Sequence, residues 1–149
     1  MKRGIVTAAL VAAAFIVAPG AQFADAHHST TMFDHAKSMV IRGSVVELRW
    51  VNPHVTMLVR GVATENRDGA AVSGGKEEDW LMEMTSPGNL VRAGGWSRSA
   101  IKKGDDVIVS FSPLRDEAQS GGALKKVTLV STGKSYTANI RMQEMPDLE

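Results

Sequence analysis

Residues 39–59 read MVIRGSVVELRWVNPHVTMLV. β-Branched and aromatic residues crowd the stretch up to Val51, which is strand composition rather than helix composition. Val46, Leu48 and Trp50 share one parity, while Ile41 and Val45 share the other. A strand that changes parity has changed the face it buries, so a bulge or sharp bend is expected near Gly43. Asn52-Pro53 is a turn signal. Residues 54–62 then resume as a second strand, with Val55, Met57 and Val59 facing one way and His54, Thr56 and Leu58 the other. A long bent strand turning directly into a second one is the opening of a small closed sheet.

Further along, residues 63–78 are a polar, glycine-rich loop and the expected mobile segment. DWLMEMT (79–85) is a third strand with Trp80, Met82 and Met84 on one face. SPGNLVRAGG (86–95) has the marks of a short helix, with Ser86 as N-cap, Pro87 at the first helical position and Gly94 as the stop. A turn from Ser97 to Gly104 leads into a fourth strand, DVIVSFS (106–112), with Val107, Val109 and Phe111 on one face. A loop (113–122) and a fifth strand (123–132) follow. The tail from 137 to 149 is either a last strand with a loose end or simply a tail. The fold class is all-β with one short helix. Five strands with the helix between the third and fourth point to a small OB-like barrel spanning residues 39–136. A small open β-sandwich is the alternative.

The amino terminus carries a different pattern. MKRG is a short basic region, and IVTAALVAAAFIVAP (5–19) is an apolar run of fifteen residues. Ala24-Asp25-Ala26 then supplies small residues where signal peptidase reads. Residues 1–26 are therefore expected to be a cleavable signal peptide, which implies a periplasmic protein. The run is shorter than the ~20 residues a membrane helix needs, so no integral membrane segment is expected after cleavage. Removing 1–26 takes away Lys2, Arg3 and Asp25, leaving 15 basic and 15 acidic residues. That balance offers no electrostatic case for nucleic acid as a partner. There are no cysteines, so packing alone must hold the core in an oxidising compartment.

Several pieces of the chain go together: AHHS (26–29), FD (33–34), GSVVELRWVNPH (43–54), WLMEM (80–84), residues 90–96, and IKKGDDVIVSFSPLRD (101–116). With these the chain resembles a family of small secreted bacterial proteins of uncharacterised function. NPH after a tryptophan-bearing strand and GD before the fourth strand are the most specific. The chain departs from the pattern by an extra glycine at 94–95 and a long second loop. The resemblance implies a secreted OB-like barrel and brings no activity, substrate or catalytic residue. His35 lies outside the matching pieces.

Cleavage after Ala26 would make His27 the first residue. Its free amine and ring Nδ1 can then chelate one ion. A further imidazole completes a three-nitrogen set, an arrangement that suits copper(II). His54, at the mouth of the barrel, is the leading distant ligand. His28, through its ring and the intervening backbone nitrogen, is another, and His35 is a third. The plain alternatives are a solvated polar arm over 27–38 and a His54 that only caps a turn. Glu83 is either a carboxylate near the His54 end or a solvent-facing residue of an alternating strand, and the base rate for glutamate favours the latter. Met142 and Met145 offer soft thioethers, though methionine more often fills packing gaps. Trp50, Trp80 and Trp96 read either as a stacking surface or, for two of them, as core. No nucleophile–base–acid set, paired catalytic carboxylates or phosphate-cradling loop is present, so the reading leans away from an enzyme. It favours a periplasmic OB-like binding protein for copper or another divalent ion, with a metal-free module for a periplasmic protein or envelope component as the alternative. Intact-mass analysis of exported protein is expected to show a chain beginning at His27; a start upstream of it removes the chelate.

Overall fold

The computed structural model describes residues 30–138. The expected signal segment 1–26, His27 and His28, and the tail 139–149 with Met142 and Met145 lie outside the described residues. A 3-10 turn, Thr30–Met32, precedes β1 (Met39–Arg49), β2 (Thr56–Glu65) and β3 (Glu78–Glu83). Helix α1 (Pro87–Gly94) leads to β4 (Asp106–Pro113), β5 (Gly121–Leu129) and β6 (Ser135–Thr137). β1 pairs with β2 along almost its whole length and with β4 through residues 39–44. β5 pairs antiparallel with β4 and parallel with β3, which closes the first five strands into a barrel. The barrel, rather than the open sandwich, is the architecture, and β6 is an additional strand on β5. Among the described residues no helix is long and apolar enough to cross a membrane.

Three strands carry one residue more than their partners, at Val46, Thr64 and Lys125. Each extra residue bends its strand and raises its twist, as a small barrel requires. The change of face in β1 therefore comes at Val46, three residues after the expected position. Ile41 and Val45 are buried before it, and Leu48 and Trp50 pack on the core after it. Gly43 has a different use. It lies opposite Gly61, where the two backbones approach so closely that a Cβ on Gly43 would strike the Arg60 carbonyl. Trp80 reaches this pair, its indole N–H donating to the Gly61 carbonyl at 3.1 Å.

The inward faces of the other strands follow the alternation. Val55, Met57, Val59, Met82, Met84, Val107, Val109 and Phe111 are all fully buried. Trp80 and Trp96 are buried too, and Trp50 packs against Trp96 at 6.4 Å between ring centroids. The tryptophans are thus packing elements, and a stacking surface is ruled out for the two buried ones. In α1, Ser86 accepts a hydrogen bond from the Asn89 N–H at 3.4 Å, and Leu90 is the buried contact. The stop is Gly95, with φ 64°, not Gly94, which is still helical. Gly94 lies where a Cβ would run into Trp96 and the Thr137 carbonyl.

Two loop boundaries also differ from expectation. β2 runs to Glu65, and Asn66 turns the chain by accepting from the N–H groups of Asp68 and Ala70, each at 3.0 Å. β5 starts at Gly121, because the glycines read as loop are the residues that touch β3. From residue 30 the arm lies along the β4–β5 hairpin. Phe33 is 3 % exposed and bridges to Leu114. The Arg115 backbone N–H donates to the Met32 carbonyl and its Nε to the Thr31 carbonyl, both at 2.9 Å.

A Cβ at Gly122 would collide with the Ser112 carbonyl and the Phe111 ring. Gly122→Ala is expected to cost about 1–3 kcal/mol in denaturant unfolding, as overpacking does. Gly88→Ala, on an open helical position, should instead stabilise by up to about 1 kcal/mol.

Candidate functional site

Alternation puts His54, Thr56, Leu58 and Arg60 on the outer face of β2, and Asp79, Leu81 and Glu83 on the outer face of β3. Register decides which of them meet. Thr56 stands opposite Glu83, Leu58 opposite Leu81, and Arg60 opposite Asp79. The outer face therefore has an ion pair at one end, an apolar pair in the middle and a histidine–carboxylate pair at the other end.

The histidine end is built by the β1–β2 turn. The Asn52-Pro53 peptide is cis. Just past it, the Val55 N–H donates to the Thr85 carbonyl at 3.1 Å, and the Met84 N–H donates to the Val55 carbonyl at 2.9 Å. These bonds fix the backbone on both sides of the pair. His54 Nδ1 lies 2.6 Å from Glu83 Oε1. The His54 side chain is 35 % exposed and that of Glu83 19 %. The imidazole thus faces solvent while its carboxylate partner sits beneath it. Around the pair is a cleft of about 290 Å³, walled by Val51, Asn52 and Pro53 from the turn, with Arg49 and Thr56 on its flanks. The sequence base rate had favoured a solvated Glu83. In the fold it is the group that orients His54, and the alternation common to both strands was the available signal.

At the opposite end, Arg60 holds Asp79 through two hydrogen bonds of 2.7 and 2.9 Å. The guanidinium hydrogen bond keeps the Asp79 carboxyl below its ordinary range, and the same bond raises Arg60. Both groups are on the surface, so this pair adds little to stability. Between the two ends Leu81 is 52 % exposed.

His35 is placed elsewhere. Its ring is edge-on to Phe33 in the docked arm, at 6.0 Å between centroids, and its Nε2 is buried with no hydrogen-bond partner. Of the expected ligands, His54 alone falls within the described residues together with a polar partner that orients it. Among the described residues no group of three or more His, Cys, Asp or Glu side chains is placed to hold a metal ion.

A family profile matches residues 14–123, most of the chain. The chain belongs to DUF6152, a family of unknown function. Neither a curated protein nor a solved structure matches it. The DUF6152 match takes in the NPH turn, β3 with Glu83, α1 and all of β4, so both members of the His54–Glu83 pair lie within it.

A carboxylate can only accept, so the neutral His54 ring must carry its proton on Nδ1. Long-range proton–nitrogen correlation spectra are expected to show the Nδ1–H tautomer in this DUF6152 protein and a mixture in Glu83→Ala. An unchanged tautomer in that variant would mean that another group orients the ring.

Proposed function

We propose that the protein is an exported, periplasmic binding protein that holds copper or a related divalent ion between its processed amino terminus and His54. The observation that carries this reading is the 2.6 Å contact between His54 Nδ1 and Glu83. Metal-bound imidazoles regularly give their second N–H to a carboxylate, which orients the ring and raises its basicity. With the proton on Nδ1, the ring's lone pair is on Nε2, which would be the coordinating nitrogen. The His27 amine and ring Nδ1 would supply the chelate, with His28 as an alternative donor. Nitrogen ligands in a tetragonal set favour copper(II).

A second reading, a metal-free module that binds a periplasmic protein, draws on the exposed Leu81 beside Leu58. Copper(II) titration of protein verified to begin at His27, followed by electron paramagnetic resonance, separates the two. Nitrogen hyperfine structure and binding tighter than about micromolar are expected. His54→Ala should weaken binding by about tenfold or more, and an added residue before His27 should abolish the chelate. Binding weaker than micromolar by correctly processed protein would leave the interaction module as the reading.

A further inference from the structure

The segment from α1 to β4 passes over the β1 bulge and leaves a larger cleft of about 640 Å³. That is the size of a small-molecule site, most of which lie between about 300 and 1,000 Å³. Its apolar side is Val46 and Leu48 from β1, with Ile101 beneath them. Val46 is there because it is the extra residue of the bulge. Its polar side is Arg98, Lys102 and Lys103. The single carboxylate in the lining is Glu47, and Arg49 Nε stands 3.9 Å from it.

Three cations against one carboxylate is a local excess in a chain with 17 basic and 16 acidic residues. The segment that bears them is pinned. The Gly104 N–H donates to the Val45 carbonyl at 2.8 Å, and the Val45 N–H donates to the Asp105 carbonyl at 2.9 Å. The Lys102 N–H donates to Asp105 Oδ2 at 2.8 Å, and Arg98 reaches the Trp50 carbonyl at 3.2 Å. The cations are thus held along one wall of a cleft whose other wall is aliphatic. Lysine stems extend the apolar wall while their ammonium groups stay in water. A cleft with a net positive lining also concentrates anionic ligands.

We propose that this cleft binds a small amphiphilic anion, with its head on Lys102, Lys103 and Arg98 and its apolar part on Val46 and Leu48. Nothing in this depends on a metal at His54.

The test is calorimetric titration of the mature protein with decanoate, decanol and inorganic phosphate, and co-sedimentation with neutral vesicles and with vesicles containing anionic lipid. Decanoate should bind about tenfold or more tightly than either decanol or phosphate, because each of those offers only half of the recognition. The double variant Lys102→Glu, Lys103→Glu should lose about tenfold or more in decanoate affinity with an unchanged melting temperature. Val46→Asp should lose it as well, and His54→Ala should not. Equal affinity for decanol and decanoate, no binding of decanoate, or an unaffected double variant would overturn the proposal. So would retention on anionic vesicles without decanoate binding, which would assign the charges to a membrane surface.

Discussion

The barrel depends on a parallel ladder three residues long. β3 meets β5 through Leu81 with Gly121, Met82 with Gly122, and Glu83 with Ala123. Without that contact the strands would be an open, twisted sheet with β3 as a bare edge. The contact is possible because β5 brings almost no side chain to it. A Cβ on Gly121 would strike the Leu81 carbonyl, and one on Gly122 the Ser112 carbonyl. Closure then removes the apolar faces of β2, β3 and β4 from water together. The site inherits its geometry from the same place, since Glu83 is both the last residue of the ladder and the partner of His54.

Closure also needs the long strands to bend, and the bends have chemical consequences. The extra residue at Val46 turns the end of β1 so that Leu48 and Trp50 pack inward and Val46 itself is left in the larger cleft. The extra residue at Lys125 sits beside the arm, and its ammonium group donates to the Lys37 carbonyl at 2.9 Å. A bulge needed for barrel shape therefore also supplies part of the arm's attachment. Of the two clefts, one is built from the end of β1 and the loop before β4, the other from the β1–β2 turn.

The docked arm joins chain terminus and barrel. Phe33 is the arm's large buried apolar group, and Arg115 and Lys125 hold its backbone carbonyls from either side. Carbonyls that would otherwise bond only water are thus tied to side chains of the β4–β5 hairpin. The arm is thus fixed to the barrel at both Thr31 and Lys37.

The alternation of apolar residues in β2, β3 and β4, the Ser86-Pro87 helix start and the helix's place between the third and fourth strands were all legible from residue order. Each is a local matter of side-chain period, capping chemistry or backbone restriction. The outward placement of His54 and of Glu83 could be read separately in the same way. Their meeting stood only as one of two alternatives, because it is decided by the Thr56–Glu83 register, a pairing between residues distant in sequence. Residue order likewise showed that β1 must change face but misplaced the change, since a bulge forms where two ladders fall out of step rather than where a glycine permits it. The glycines at 121 and 122 read as loop because their use is the absence of a side chain, and only the neighbouring strand defines what that absence admits. Local composition thus set the elements and their buried faces, while contacts across the closed barrel decided which outward groups became a site.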